Sequence, residues 1–117
     1  MKEDNVLLTK SFDFSVRCVN LHKFLKYQKK EFNMSNQLLR SGTSVTANIT
    51  EAQYAQSRAD FAAKLSIARK EAGETAFWIR LLGATNYLTK RQTESILKDC
   101  MEILRMLQAI TKKLYNK

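Results

Sequence analysis

The sequence lacks the residues that break up multidomain or β-rich chains. It has no proline and only three glycines in 117 residues. Nothing therefore marks a linker between domains, and the frequent tight turns of a β-rich fold have no residues to form them. We predict one domain covering residues 1–117, a length that can bury a single core.

Long apolar runs are also missing. No stretch approaches the roughly 18–20 residues needed to cross a bilayer. The first residues, MKEDNVLLTKSFDF, include early acidic groups and no apolar segment of a secretory signal. We therefore expect a cytoplasmic protein without a membrane partner. Its two cysteines, Cys18 and Cys100, lie on apolar seams, so we expect free buried thiols rather than a disulfide.

Residues typical of a catalytic or metal site are scarce. His22 is the one histidine, and no cysteine or acidic residue stands near it at metal-ligand spacing. Residues 41–44 lack the pattern of a phosphate-binding loop. Glu51, Glu71 and Glu74 could together bind a hard cation, but the helix register described below pairs them with cations instead. We predict a protein that is not an enzyme and has no metal or cofactor.

What the sequence does contain is a set of four helical patterns. Apolar residues recur at steps of three and four from Leu38 to Ala52 and again from Phe61 to Leu82. Similar seams precede and follow this central stretch. The predicted helices span about 4–31, 36–55, 58–86 and 90–115. Connections of only a few residues favour an all-α fold, an antiparallel up-down-up-down four-helix bundle.

Three of these helices begin with a recognisable cap. Ser35 is the predicted N-cap of the second helix. Ser57 with Asp60 forms a near capping box for the third, and Thr89 with Gln92 matches the capping box of the fourth.

The composition of the first two helices adds two expectations. The second helix is rich in Thr, Ser, Val and Gly, which are poor helix formers, so tertiary packing has to hold it. Gly42 would allow another helix to approach closely. The first helix has more apolar surface than one stripe in a monomeric bundle requires, and the surplus could meet another subunit. This surplus is a second apolar strip that lies partly beside the seam of the first helix and consists of Leu8, Phe12, Val16, Val19 and Phe24.

Positive charge exceeds negative charge, with 20 Lys and Arg against 11 Asp and Glu and a formal charge of +9. Such an excess predicts attraction to nucleic acid, an anionic membrane surface or an acidic protein, although a merely solvated basic surface is the alternative. In the predicted topology the ends of helices one and three and the starts of helices two and four share one end of the bundle, here called the basic pole. The residues predicted to bind nucleic acid there are Lys23, Lys26, Lys29, Lys30, Arg40, Lys90 and Arg91.

Two tyrosines bear on the kind of polyanion. Tyr27 lies inside the lysine run and Tyr87 near Lys90. Stacking of bases on such rings favours single-stranded or irregular RNA over duplex DNA. The alternatives are that both rings pack on the core and that the lysine run is a solvated helix C-terminus, where it complements the helix dipole.

A polar column accompanies the apolar seam of the second helix. Antiparallel register places Glu51 near Lys64, and Arg40 near Glu71 and Glu74. We therefore predict salt-bridged structural pairs in preference to a cation site. The members of this predicted network are Arg40, Ser44, Asn48, Glu51, Lys64, Glu71 and Glu74.

The central stretch resembles a bacterial family of four-helix bundle proteins, the 23S rRNA intervening-sequence proteins. The resemblance rests on R-x-x-x-S-x-x-x-N-I-x-E at Arg40–Glu51, S-x-x-D-F at Ser57–Phe61 and K-E-A-x-E-T-x-x-W at Lys70–Trp78. The ordered set spans about 45 residues closely. The family's usual E-G at the end of the second helix is Glu51 followed by Ala52 here.

The resemblance implies an antiparallel four-helix bundle that assembles into a homopentamer, and some members are encoded within insertions in ribosomal RNA genes. A similar protein is the accessory variability determinant of diversity-generating retroelements, a basic pentamer that associates with a reverse transcriptase and nucleic acid. By resemblance only, a reverse transcriptase is thus a possible partner.

Two functions follow as hypotheses. The first is a non-enzymatic, oligomeric nucleic-acid-binding protein that favours RNA. The alternative is an accessory interaction module that docks an acidic or hydrophobic partner protein and binds no nucleic acid.

Overall fold

The computed structural model describes the backbone of residues 2–116 and the side chains of residues 6–116. Over this range the chain forms four α-helices and no strand: α1 (Lys2–Gln28), α2 (Asn33–Ala52), α3 (Arg58–Ala84) and α4 (Lys90–Tyr115). Each helix packs against its chain neighbours, and α1 closes the bundle against α4. The predicted antiparallel four-helix bundle is confirmed. The molecule is a rod of 46 × 21 × 20 Å.

The predicted apolar seams form the core. Most side chains at the seam positions of the four helices are buried, and the largest include Leu7, Leu38, Leu65 and Leu107. Phe61, at the start of the third seam, is half-buried against this core. Phe32 lies beyond the end of α1 and is 48% exposed, so it takes no part in the core.

The first helix ends three residues earlier than predicted because the chain reverses at Lys30. This residue has a φ of 57°, in the left-handed region, and the Glu31 amide donates back to the Leu25 carbonyl at 3.0 Å. A left-handed residue of this kind ends a helix by satisfying its last carbonyls. The early reversal also explains why α2 starts at Asn33 and not at 36.

The caps of α3 and α4 are confirmed. The Asp60 amide donates to Ser57 Oγ at 3.0 Å. At α4 the Gln92 amide donates to Thr89 Oγ1 at 3.1 Å and the Thr89 amide donates to Gln92 Oε1 at 2.9 Å, which completes a capping box.

The predicted cap of α2 is wrong. Ser35 lies inside the first turn, and its hydroxyl donates to the Glu31 carbonyl at 2.9 Å. Glu31 does the capping instead: its carboxylate accepts from the Ser35 amide at 2.8 Å and the Met34 amide at 3.2 Å. The cause is again the reversal at Lys30, which brings Glu31 to the start of the helix.

Small and hydroxylated residues bring α2 close to both of its neighbours. A Cβ added at Gly42 would lie 2.5 Å from Cys18 Sγ of α1. Thr46 Oγ1 donates to the Ser11 carbonyl of α1 at 2.6 Å, and Thr75 Oγ1 of α3 donates to Ser41 Oγ at 2.9 Å. These buried contacts between helices account for a stable α2 despite its low intrinsic helix propensity.

Candidate nucleic-acid interface

The end of the bundle predicted as the basic pole is formed by the end of α1, the start of α2, the end of α3 and the start of α4. All of its cationic side chains are exposed. Lys90 is within 4.0 Å of Glu94, and both side chains are largely solvated, so that ion pair is weak. The exposed cations contributed by α1, α3, α4 and the α1–α2 loop are Lys23, Lys26, Lys29, Lys30, Arg80, Lys90 and Arg91.

The two tyrosines of this end differ in their surroundings. Tyr27 is 61% exposed, and Lys26 Nζ lies 5.5 Å from the centre of its ring. Tyr87 is half-buried and packs against the core. Tyr27 thus has a ring face available for stacking, whereas Tyr87 serves as a packing residue.

A groove runs between α1 and α4 beside the basic pole, with a volume of about 470 Å³. Its floor is apolar, formed by Leu21, Phe24, Leu88 and Ile96, and Arg17 and Arg91 stand on its two sides. A second depression of about 400 Å³, lined by Arg80, Lys90 and Thr93 among others, lies beside the α3–α4 turn. Leu88 lines both.

Sequence reasoning missed the groove. Arg17 and Arg91 are 74 positions apart, and neither periodicity nor motif relates them. Arg17 is held in place by α4, because it donates to Asp99 Oδ2 at 2.6 Å and to Ser95 Oγ at 3.0 Å. Only the register between α1 and α4 brings these groups together.

The ion pairs expected between α2 and α3 are present. Lys64 Nζ lies 3.0 Å from Glu51 Oε1, and the Arg40 guanidinium pairs with both Glu71 (3.3 Å) and Glu74. The Trp78 indole also donates to Glu74 at 3.0 Å. The pKa of the Glu74 carboxyl is lowered from its ordinary value, first by the Trp78 hydrogen bond and then by Arg40.

The network between the helices is narrower than the predicted set. Ser44 Oγ donates to the Arg40 carbonyl, and Asn48 Nδ2 donates to the Ser44 carbonyl, so both side chains bond within α2. Arg40 was predicted both here and at the nucleic-acid surface. The structure engages its guanidinium with two carboxylates, and a role for it in binding nucleic acid stays a prediction.

The acidic side chains, the histidine and the thiols are the remaining groups with catalytic or metal-binding chemistry. Within residues 6–116, no three His, Cys, Asp or Glu side chains come close enough to share a metal ion. His22 Nδ1 lies 3.2 Å from the Ser35 carbonyl oxygen. Burial raises the pKa of both Cys18 and Cys100 to about 12, so these thiols stay protonated. Over the part of the chain that the structure describes, none of the helices has the length and apolar character to cross a membrane.

The protein is thus an antiparallel four-helix bundle with a cluster of exposed cations at one end. The model of the 23S rRNA-intervening sequence protein family matches residues 3–109, so the chain belongs to that family. This confirms the resemblance seen in the central motifs.

A solved structure of a similar protein has the same fold. The chain is 57% identical to a protein of unknown function from the S23 ribosomal protein family of Bacteroides thetaiotaomicron VPI-5482, whose crystal structure was determined at 1.70 Å. The two superpose with a TM-score of 0.92 over 94% of this chain and 98% of that one. No curated protein matches this chain.

Proposed function

We propose that this protein is a non-enzymatic, oligomeric, cytoplasmic protein that binds RNA through its basic pole. The observation that carries the proposal is that three helices and a loop place seven exposed cations at one end of the bundle. Within residues 6–116, only one of these seven side chains pairs with a carboxylate: Lys90 pairs with Glu94. Unpaired surface cations attract phosphates and release counterions when they bind them.

RNA is favoured over duplex DNA for two reasons. The exposed ring of Tyr27 with Lys26 beside it suits an unpaired base, since bases stack on aromatic faces while phosphates contact the cations. The name of the family also refers to 23S rRNA.

Self-association is part of the proposal. Phe12 and Val16 on the outer face of α1 are 61% and 45% exposed, and Leu8 and Val19 beside them are half-buried. An exposed apolar strip of this kind marks an interaction surface. We take its occupant to be a second copy of the chain, in the homopentamer that the family resemblance implies. Several basic poles in one assembly would bind one RNA with increased avidity.

The test is retention of a labelled single-stranded RNA on a filter at about 50 mM and about 200 mM salt. Binding through the basic pole predicts retention at the lower concentration and a steep loss at the higher, with a slope of about 0.7 log unit for each phosphate neutralised. Absence of retention at the lower concentration would refute the proposal.

A matched pair of variants separates the basic pole from overall charge. Lys26→Ala with Lys30→Ala removes two charges at the pole, and Lys112→Ala with Lys113→Ala removes two at the far end of α4. The first pair should weaken binding and flatten the salt slope, whereas the second should change both much less. Equal effects would mean that net charge alone is responsible.

The alternative function, docking of an acidic or hydrophobic partner protein such as a reverse transcriptase, is favoured by a different observation. Ile67 and Phe77 on α3 are 41% and 52% exposed. A partner retained in a pull-down at high salt, without RNA binding, would support this alternative.

A further inference from the structure

We propose that the groove between α1 and α4 binds one unstacked nucleotide, with its base on the apolar floor and its phosphate against the cationic rim. The inference rests on the proposed RNA-binding function and gives it a specific subsite. It assigns the groove to single-stranded nucleic acid.

The groove has the size and the apolar floor of a small-molecule site. The volume of about 470 Å³ lies in the range of pockets that bind small molecules, roughly 300–1,000 Å³. Its floor combines the half-buried ring of Phe24 with the side chains of Leu21, Leu88 and Ile96. α1 and α4 pack the least closely of the neighbouring helices, which leaves this apolar surface open. A flat aromatic ligand would cover it.

Positive charge surrounds the groove. Arg17 and Arg91 line the groove from opposite helices. Lys29 is outside the lining, but its Nζ lies over the ring of Phe24, 5.8 Å from the ring centre. Arg17 is partly neutralised by Asp99, but Arg91 and Lys29 take part in none of the ion pairs formed by residues 6–116. An anionic group is therefore expected beside the apolar floor. A nucleotide combines a flat base and an anion, whereas an acidic peptide supplies the anion without the flat ring.

Polar side chains complete the lining of the groove. Asn20, Gln92 and Ser95 also line the groove. Gln92 uses its Oε1 in the capping box, which leaves its amide hydrogens free to donate. The exposed Asn20 amide offers a donor and an acceptor. Such groups match the donors and acceptors on the edge of an unpaired base.

The direct test is an NMR titration of the full chain with adenosine 5′-monophosphate. We expect saturable shifts of the backbone amides of Leu88, Gln92 and Ser95. Ribose 5-phosphate, which lacks the base, should bind about tenfold more weakly, and so should inorganic phosphate. If all three compounds cause the same shifts, the site is a simple anion site and the base assignment is overturned.

Variants locate the effect in the groove. Phe24→Leu keeps an apolar floor and removes the ring, and Arg91→Gln removes one rim charge. Each should weaken binding of the monophosphate about fivefold or more. The matched controls, Phe77→Leu on α3 and Arg105→Gln on α4, make the same changes outside the groove and should leave the affinity unchanged. Circular dichroism melting verifies that all four variants fold. If the groove variants and the controls behave alike, the inference is wrong.

Failure of this inference is distinguishable from failure of the proposed function. If RNA is retained on the filter but the nucleotide shifts no groove amide, the subsite is wrong and the basic pole remains the binding surface. If the nucleotide binds in the groove but RNA is not retained, the RNA-binding function is wrong and the groove is a site for free nucleotides, not for an RNA chain.

Discussion

Single residues decide how closely the helices of this bundle approach one another. Gly42 leaves no room for a side chain, because a Cβ there would lie 2.5 Å from Cys18 Sγ and 3.1 Å from Cys18 Cβ. Gly73, also in a helix, has no atom within 4 Å of an added Cβ. The two glycines therefore look equivalent in the sequence and differ completely in the fold.

We predict opposite effects for the same substitution at these two glycines. Gly42→Ala should destabilise the protein by about 1–3 kcal/mol, because overpacking forces α1 and α2 apart. Gly73→Ala should stabilise it by about 0.5–1 kcal/mol, since alanine is the better helix former and the space is open. Urea denaturation measures both. Adding Cys18→Ala to Gly42→Ala should recover part of the loss, and a lack of recovery would place the strain elsewhere.

Glu74 makes the stability of the protein depend on pH. Its pKa is lowered in the folded state by the Trp78 hydrogen bond and by Arg40, so the stabilisation is present above the ordinary carboxyl pKa of about 4.3 and is lost as the pH falls through the lower folded value. We predict that Glu74→Gln lowers the Tm at pH 7, and that the difference from the unmodified protein shrinks as the pH falls below about 4.

The control for this prediction is Glu94→Gln, which removes a carboxylate whose only ion pair is a loose one at 4.0 Å. Its Tm should follow that of the unmodified protein across the same pH series. If the Tm difference between Glu74→Gln and the unmodified protein stays constant from pH 7 to pH 3, the lost interaction does not depend on ionisation of Glu74.

Among the elements, the start of α2 shows how a local turn overrides a local sequence signal. Ser35 is a good N-cap residue by type, but the left-handed conformation of Lys30 starts the helix earlier and gives the capping role to Glu31. Glu31 is only 8% exposed, so the hydrogen bonds that its carboxylate accepts from two backbone amides are shielded from water.

This arrangement predicts an order of effects at the start of α2. Glu31→Ala should cost about 1–2 kcal/mol, because it leaves two first-turn amides without an acceptor. Ser35→Ala should cost less, since its hydroxyl only donates to carbonyls of the preceding turn. Chemical denaturation followed by circular dichroism compares the two. A larger loss of stability for Ser35→Ala than for Glu31→Ala would mean that Ser35 caps α2.

At the scale of the whole molecule, the apolar strip on α1 exceeds what the bundle itself buries. A core of four seams is complete without it, yet Phe12 and Val16 remain exposed. We predict by multi-angle light scattering a mass near five times 13.5 kDa. Phe12→Lys should reduce that mass, because a charge would be buried without a partner at the interface.

The control is Ile67→Lys on the outer face of α3, which places a charge on an exposed apolar position of another helix and should leave the mass unchanged. A mass of 13.5 kDa for the unmodified protein would refute self-association and leave the exposed strip for another partner.

Local sequence signals were enough to predict the four helices, their order, two of three caps and the family. Helical periodicity and capping depend on residues close together in the sequence. Connections of a few residues require consecutive helices to pack antiparallel. The antiparallel register of α2 and α3 also predicted the pairing of Arg40 with Glu71 and Glu74, because these residues face each other on two helices joined by a short loop.

Three further features depend on tertiary packing. The cap at Glu31, the contact of Gly42 with Cys18 and the groove between Arg17 and Arg91 each depend on where the chain reverses and how far apart two helices lie. Periodicity specifies which face of a helix is buried, but not the distance to its neighbour. That distance follows from the volumes of side chains distant in sequence, so it is settled only when the whole core is packed.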